Sequence, residues 1–218
     1  MRGVLRMAAS AAAFFLIFFG PASAMDAAKS RAVVSDAFGE MISTFGGKKL
    51  DAPAAQAAMT KIIRKYADLR LIAETKLGIF WQAAPSDVKD RFPGLMEQFF
   101  VKSFTRTAID MPDNLKVTVL SVEDRGARQV VHTQIGEPGG DQSDVNWLVA
   151  ESADARYVIS DVAMDGVAII AAQISDWTSV IREYGGTLAG LFGPLELLTR
   201  DKEPPGNGPQ ENSRRRQR

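Results

Sequence analysis

Two aspartates interrupt an otherwise apolar stretch, YVISDVAMDGVAII, at residues 157–170. Burial of Asp161 or Asp165 would raise the pKa of the carboxyl, and some isomerases use such an aspartate to shuttle protons. That chemistry also needs a donor for the developing oxyanion. Structural roles compete with this interpretation: Asp165 could cap a helix that begins near Gly166, and Asp161 could pair with neighbouring backbone or a basic side chain. The residues favour the structural roles and leave the acid/base role open.

Few other side chains could carry chemistry. His132 is the sole histidine and lies in VVHTQ, where strand alternation places Val131, Thr133 and Ile135 on the opposite side. We therefore predict a solvent-facing strand histidine rather than a catalytic partner for an aspartate. The chain contains no cysteine, which excludes thiol catalysis and thiolate metal sites.

Motifs that bind metals or phosphates are also missing from the sequence. It contains no HExxH, CxxC, Walker A or GxGxxG pattern and no GxSxG nucleophile elbow. DMPDN at 110–114 lacks the glycine and closing glutamate of an EF-hand loop. GEPGG at 136–140 is better explained as a turn between strands. We therefore predict no catalytic residue, no metal and no cofactor.

The N-terminus has the three regions of a secretory signal peptide. Arg2 and Arg6 give a basic start, residues 8–19 form an apolar run, and ASA at 22–24 is a small-x-small cleavage pattern. The apolar run is shorter than the ~20 residues that a membrane span requires. We predict that residues 1–24 are a signal peptide, that cleavage follows Ala24, and that the mature chain is soluble outside the cytoplasm.

Length and charge limit the class of protein. Without the predicted signal peptide the chain has 194 residues, enough for one domain with a sizeable core. Removing Arg2 and Arg6 leaves 24 basic against 26 acidic residues, a net charge of −2, so a nucleic-acid binder is not expected. Residues 25–198 form the predicted domain. Residues 199–218 are polar, contain Pro and Gly without periodicity, and are predicted to be a disordered tail.

Helical periodicity covers the first part of the predicted domain. Apolar residues recur at spacings of three and four in 26–45, 69–77 and 86–104, and the alanine-rich segment 53–64 shares this pattern. Asp68 suits an N-cap, and the following Gly78 suits a helix C-terminus. These segments predict four helices before the sheet.

The period changes to two after Pro112. Four segments alternate between apolar and polar residues: LKVTVLSV, RQVVHTQI, VNWLVAE and ARYVISDVAM. Short polar connections such as EPGGDQSD favour antiparallel pairing, with one face of the sheet free to be covered by helices. The helical period returns from Gly166, and a short final helix is expected at 187–198. This order predicts an α+β domain.

Three elements taken together resemble the MlaC family, whose members are also labelled toluene-tolerance proteins. They are L-G-x-x-W (Leu77, Gly78, Trp81), D-V-x-x-[ED]-G-V from Asp161, and G-G-x-x-x-x-L from Gly185. The resemblance covers nearly the whole predicted domain.

The chain also departs from this family pattern. A Phe-Asp pair of the family is Ala67-Asp68 here, the serine that follows Gly-Val is Ala168, and the arginine-bearing segment is QIS at 173–175. If the family's serine and arginine assist the neighbouring strand end, their absence here should change contacts with a lipid headgroup or a partner.

The resemblance implies a periplasmic lipid-binding component of a phospholipid ABC transport system rather than an enzyme. The implied fold is a twisted four-stranded antiparallel sheet wrapped by about six to seven helices, similar to the nuclear-transport-factor-2 shape, with a lipid cavity between sheet and helices. As a monomer, it would shuttle phospholipid between an outer-membrane lipoprotein–porin complex and an inner-membrane lipid ABC transporter complex, maintaining outer-membrane lipid asymmetry. Two alternatives stay open: a carrier of another lipid such as a hopanoid, and a small-molecule isomerase-like enzyme using Asp161 or Asp165.

An enclosed apolar cavity follows from the chemistry of such a ligand. About 30 methylenes at ~0.8 kcal/mol each represent roughly 24 kcal/mol of transfer free energy, much of which a surface groove would not capture. We predict that the lipid-binding residues are apolar side chains of the helices and of one sheet face: Leu69, Ile72, Leu77, Trp81, Phe92, Phe99, Phe100, Phe104, Val117, Val119, Trp147, Val162, Val167 and Ile170.

Overall fold

Five antiparallel strands form a sheet in the second half of the chain. The computed structural model describes residues 25–200. The strands lie side by side in their sequence order, so the sheet is a meander. They are β1 (Lys116–Asp124), β2 (Arg128–Gly136), β3 (Gln142–Glu151), β4 (Tyr157–Met164) and β5 (Val167–Ala168).

The fifth strand corrects the predicted number of four. β5 folds back on the end of β4, with Met164 opposite Val167. The loop residues Asp165 and Gly166 have φ of 49° and 83°, and two successive left-handed residues are what a type I′ hairpin requires. The sequence pattern predicts a helix from Gly166, whereas the chain first completes this hairpin.

Seven α-helices precede and follow the sheet in residues 25–200. Asp26, Asp51 and Asp68 cap the first three by accepting a backbone N–H of the first turn, at 2.8, 2.8 and 3.0 Å. The cap predicted at Asp68 is thereby confirmed. The helices are α1 (Ala27–Phe45), α2 (Ala52–Tyr66), α3 (Leu69–Leu77), α4 (Ile79–Gln82), α5 (Ser86–Ala108), α6 (Ile169–Glu183) and α7 (Phe192–Thr199), with a 3₁₀ helix at Leu188–Leu191.

The strand register brings the predicted apolar faces together. Val131 of β2 lies opposite Trp147 of β3, and Trp147 lies opposite Val162 of β4. Val117 of β1 lies opposite Ile135. Helix α1 packs against β1, β2 and β4, so these side chains form a sheet face that is covered by helix, as the alternation predicts.

Two hydrophobic clusters meet at this sheet face. The larger one is formed mainly by the helices, and Ile159 of β4 is the strand residue buried in it. The smaller one places Val34 of α1 against Val131 and Val149. Trp147 packs against both clusters, so it stands at the junction between the helical layer and the sheet.

Both predicted terminal segments fall largely outside the described residues. The predicted signal peptide, 1–24, lies there entirely, as do residues 201–218 of the predicted tail. Helix α7 continues to Thr199. Within residues 25–200, no helix has both the length and the apolar character needed to cross a membrane.

Candidate functional site

An apolar pocket of about 260 Å³ lies between the sheet and the helices. Helices α1, α2 and α5 form one side, and β3, β4 and the start of α6 form the other. The residues that line it are Ala37, Met41, Met59, Ile62, Ile63, Tyr66, Ala67, Phe104, Thr107, Ala108, Met111, Trp147, Ile159, Val162, Met164, Ile169 and Ile170.

The polar atoms of the lining are engaged elsewhere or lie at its edge. Tyr66 donates its hydroxyl to Oε2 of Glu40 at 2.8 Å. The indole Nε1 of Trp147 donates to Oγ1 of Thr133 at 3.0 Å. Thr107 is exposed to solvent. Because the interior offers few free hydrogen-bonding groups, it suits an apolar ligand and disfavours a polar one.

Lining residues at the β4–β5 hairpin and at the start of α6 are partly exposed to water. Met164 and Ile169 line the pocket and are 46% and 37% exposed. Val167, opposite Met164 in the hairpin, is 62% exposed. Deeper in the pocket, Met59 and Ala108 are almost fully buried. The apolar surface therefore continues from a closed floor to a rim that faces water.

Four of the six methionines within residues 25–200 line this pocket. Methionine is unbranched, with rotatable bonds throughout its side chain, and so fills irregular space in more than one way. They lie on several different elements, so these adaptable side chains are distributed around the pocket wall. The four are Met41, Met59, Met111 and Met164.

Four of the fourteen predicted lipid-binding residues line the pocket: Phe104, Trp147, Val162 and Ile170. Six others lie in the helical core around it: Ile72, Leu77, Trp81, Phe92, Phe99 and Phe100. Leu69 borders a polar surface cleft with Arg64 and Arg70. Val117 and Val119 are half-buried on β1, and Val167 is at the rim. Contact with lipid stays a prediction for all fourteen.

Trp177 of α6 explains why most of the aromatic stripe on α5 lies outside the pocket. Its ring centroid lies 6.0 Å from that of Phe92, 5.1 Å from Phe99 and 5.6 Å from Phe100. The indole fills the space that these rings face, so they form a packed aromatic cluster. Phe104 stacks on Phe100 at 5.4 Å and is the ring of the stripe that reaches the pocket.

Most of the α2 side of the pocket is absent from the residues predicted from the sequence. Met59, Ile63 and Tyr66 line it, and all three fall on the helical period of α2. That period predicts a buried face of α2. The methionine and the tyrosine on this face were the residues that could have indicated a pocket. Neither residue type distinguishes a packed core from an open pocket.

Asp161 connects three elements and is nearly buried, with 5% of its surface exposed. Lys76 of α3 donates to its Oδ2 at 2.7 Å. The backbone N–H groups of Val162 and Ile170 donate to Oδ1 at 2.8 and 3.0 Å, and that of Ala171 to Oδ2 at 3.2 Å. These four donors give Asp161 the structural role that the sequence favours.

Asp165 does not cap α6, so that expectation is wrong. The N-cap of α6 is Ala168, which makes no side-chain capping bond. Asp165 is an exposed turn residue whose backbone N–H donates to the carbonyl of Asp144 at 3.1 Å. Asp161 instead satisfies the first free N–H groups of the helix, nine residues away in sequence.

His132 is a cross-strand partner on the sheet face away from the pocket. Its Nδ1 lies 2.8 Å from Oδ1 of Asn146, and its Nε2 lies 3.3 Å from Oε2 of Glu123. The side chain is 32% exposed. Neither Asp161 nor Asp165 is a partner of His132 in these contacts. Within residues 25–200, no cluster of three or more His, Asp or Glu could hold a metal ion.

Glu40 accepts hydrogen bonds from both Lys65 and Tyr66, and the three residues form a charged network. Hydrogen bonds from Lys65 and then Tyr66 lower the pKa of Glu40, against a smaller opposing effect of desolvation. The bond to Glu40 raises the pKa of Lys65. Burial is the largest cause that raises the pKa of the Tyr66 phenol. The network keeps the tyrosine hydroxyl outside the pocket while its ring forms the wall.

Residues 32–196 match the sequence model of a family described as "MlaC protein". This chain belongs to the MlaC family. A solved structure with a similar fold is the phospholipid-binding protein from Ralstonia solanacearum in complex with a phospholipid. The two chains share 15% identity with a TM-score of 0.64, over 78% of this chain and 97% of the other. No curated protein sequence matches this chain.

Ala168 is one of the positions at which this chain departs from the pattern expected of its family. A serine at that N-cap position would be able to accept a backbone N–H of the first turn. Alanine provides no such acceptor, and the carboxylate of Asp161 serves the N–H groups of Ile170 and Ala171. The start of α6 in this chain therefore depends on a side chain that is distant in sequence.

Proposed function

We propose that this MlaC family member is a phospholipid-binding carrier and that the pocket between sheet and helices holds acyl chain. The observation that carries the proposal is the pocket lining, in which aliphatic, methionine and aromatic side chains surround a space of about 260 Å³. Support comes from the similar fold of the Ralstonia solanacearum protein, which was solved in complex with a phospholipid. No catalytic role is proposed, because a carrier needs burial rather than bond chemistry.

The volume of the pocket bears on how much lipid it holds. Ligand pockets for drug-sized molecules are typically about 300–1,000 Å³, so about 260 Å³ suits part of one acyl chain better than two whole chains. Each methylene that enters contributes about 0.8 kcal/mol. The four lining methionines can rearrange to admit more of a chain. We propose that the headgroup stays near the rim formed by Met164 and Ile169.

Release of such a ligand requires help, because transfer of acyl chain to water is strongly unfavourable. We propose that the protein acts in the periplasm as a monomer and exchanges lipid with an outer-membrane lipoprotein–porin complex and an inner-membrane ABC transporter complex. Maintenance of outer-membrane lipid asymmetry is the corresponding role. The signal-peptide pattern of residues 1–24 and membership of the MlaC family support this proposal.

Lipid extraction with a pocket-filling variant tests the binding proposal. The wild-type protein, expressed with its own N-terminus and purified, is extracted with organic solvent and the extract is analysed by mass spectrometry. Ala108 lies in the pocket wall and is 1% exposed, so Ala108→Phe should occupy the space and remove most co-purified lipid. Ala57→Phe, at an exposed position of α2, should retain it.

The mass spectrum also separates the lipid classes. Phospholipid in the wild type and in Ala57→Phe, with loss in Ala108→Phe, supports the proposal. A hopanoid in its place would identify the alternative carrier. No lipid above that of an unrelated exported protein, or equal lipid in Ala108→Phe, would refute binding in this pocket.

Export has its own test. The protein is recovered from the periplasmic fraction and its N-terminal residue is determined. Cleavage after Ala24 predicts a mature chain that begins with Met25. A chain that still carries Arg2 and Arg6 in the membrane fraction would show an uncleaved anchor instead.

A further inference from the structure

The carboxylate of Asp161 lies directly behind one wall of the pocket. Its four donors come from Lys76 of α3, from Val162 of β4, and from Ile170 and Ala171 of α6. Val162 and Ile170 are themselves pocket-lining residues. One side chain therefore joins a lining strand to a lining helix and ties both to a third element.

The backbone that precedes α6 is held by a short strand pairing and by the bond from the N–H of Asp165 to the carbonyl of Asp144. β5 has two residues and pairs with β4 at its tip, where the hairpin turns through Asp165 and Gly166. Ala168 makes no side-chain cap. The first turn of α6 is thus held by tertiary packing and by Asp161, and its outer residue Ile169 is 37% exposed at the pocket rim.

The ion pair that fixes Asp161 is shielded from water. The side chains of Lys76 and Asp161 are 14% and 7% exposed, and their N–O distance is 2.7 Å. Removing one charge from such a pair leaves the other desolvated without a partner. Because all four contacts of Asp161 are donors, an amide at this position would turn its NH₂ group toward one of them. The site therefore discriminates strongly between aspartate and asparagine.

We propose that Asp161, fixed by Lys76, is a positioning residue that holds the first turn of α6 closed over the pocket, so that opening of this contact limits the release of bound phospholipid. The inference rests on the proposed function. Movement of the α6 start together with the β4–β5 hairpin would displace Met164, Ile169 and Ile170 from the rim. The pocket would then open on the side where it already meets solvent.

Release kinetics test the role of Asp161. Each protein is loaded with a fluorescent phosphatidylethanolamine, and its transfer to an excess of phosphatidylcholine vesicles is followed by stopped flow. Loss of a hydrogen-bonded charge corresponds to roughly a tenfold change in an equilibrium or rate, so Asp161→Asn and Lys76→Met should each release lipid about tenfold faster. Lys76→Arg, which keeps a cation, should release at close to the wild-type rate.

A matched control separates positioning from general destabilisation. Asp51→Ala removes the N-cap of α2, where the carboxylate accepts the N–H of Ala54 at 2.8 Å, and neither residue lines the pocket. It should lower stability without accelerating release. Hydrogen exchange gives a second readout: the amides of Ile170 and Ala171 should exchange faster in Lys76→Met, while amides at the centre of α5 stay protected.

The outcomes distinguish the two proposals. A wild-type protein that takes up no phospholipid overturns both. A wild-type protein that binds phospholipid, with Asp161→Asn and Lys76→Met releasing it at the wild-type rate, overturns the positioning role alone. Acceleration by Asp51→Ala to the same extent as Lys76→Met would also overturn it, because release would then follow stability.

Discussion

Trp147 and Thr133 form a hydrogen-bonded pair across β2 and β3, with 3.0 Å between the indole Nε1 and the threonine Oγ1. The hydroxyl of Thr133 in turn donates to the carbonyl of Val145 at 2.7 Å. This chain of bonds uses the polar edge of the indole within the sheet and leaves the ring to form pocket wall. A buried threonine on the sheet face thus determines which surface of the tryptophan the pocket presents.

Thr133→Val should therefore loosen Trp147 without changing the volume of the sheet face. The indole N–H loses its acceptor, and an unsatisfied buried donor costs about 1–3 kcal/mol. Urea unfolding measures the loss of stability, and the indole N–H signal in an NMR spectrum, assigned with Trp147→Phe, should exchange faster with water. Thr118→Val, at an exposed position of β1, should change stability by no more than about 0.5 kcal/mol. Equal losses of stability in Thr133→Val and Thr118→Val would contradict a role of the Thr133–Trp147 hydrogen bond in holding the indole.

Asp161 and Asp165 should differ sharply in their effect on stability. Asp161→Ala leaves Lys76 desolvated and unpaired, and loss of one partner of a buried pair costs about 3–5 kcal/mol. Asp165 is exposed and has φ of 49°, a conformation that asparagine also tolerates. Asp165→Asn should therefore stay within about 0.5 kcal/mol of the wild type. Chemical denaturation of both variants checks this, and a loss of stability in Asp165→Asn as large as that in Asp161→Ala would contradict it.

Phe104→Ala should enlarge the pocket and change which lipids co-purify. The ring of Phe104 lines the pocket, so its removal adds volume that a longer acyl chain can fill. Phe92 lies about three helical turns earlier on α5 and packs on Trp177 and Phe192 instead. Mass spectrometry of bound lipid should show longer chains for Phe104→Ala and an unchanged distribution for Phe92→Ala.

Phe92→Ala and Phe104→Ala should also differ in how much stability they lose. Truncation of a packed phenylalanine costs about 3–5 kcal/mol, and Phe92 is fully buried. Phe104 already borders open space and should cost less. If Phe92→Ala changed the bound chains as much as Phe104→Ala, the aromatic cluster would belong to the binding site.

The Glu40 network should make stability depend on pH on the acid side. Hydrogen bonds from Lys65 and Tyr66 lower the pKa of Glu40 below its usual 4.5. A carboxyl whose pKa is lower in the folded than in the unfolded state stabilises the fold at pH values above its unfolded-state pKa. This contribution is lost as the pH falls through the folded-state pKa. The stability difference between the wild type and Glu40→Gln should therefore be largest near neutral pH and shrink below the usual pKa.

Denaturation at several pH values and salt concentrations measures this difference. Because the Lys65 and Glu40 side chains are 59% and 32% exposed, added salt should reduce it. Glu74→Gln, at an exposed position of α3, is the control. A Glu40→Gln difference that does not change between neutral and acidic pH would contradict the assignment.

Local patterns predicted much of this fold because their causes are local. The cap at Asp68 depends on a backbone N–H three residues away, and strand alternation alone determines that Val131 and Thr133 share a face. The Asp-Gly pair at 165–166, flanked by apolar residues, also carried the local signal for a two-residue hairpin. The helical period after it obscured that signal, which is why β5 was not predicted.

Tertiary contacts determine two features that local sequence patterns do not predict: which rings of α5 reach the pocket, and which aspartate caps α6. Phe92 and Phe104 have the same periodicity on α5, yet Trp177, more than seventy residues later in the chain, fills the space beside the first. The capping of α6 by Asp161 rather than Asp165 likewise depends on how β4 passes the helix N-terminus. Periodicity predicts which residues are buried, and it contains no information about whether the opposite wall is a side chain or a void.

The methionines of the pocket make its polarity sensitive to oxidants. Oxidation converts the thioether to a polar sulfoxide, and reductases reverse this change. Met164 is 46% exposed at the rim, whereas Met59 on the floor is 2% exposed, so an oxidant meets the entrance of the pocket first. With no cysteine in the chain, sulfur chemistry here is confined to thioethers, and oxidative damage would place an S=O group where an acyl chain enters.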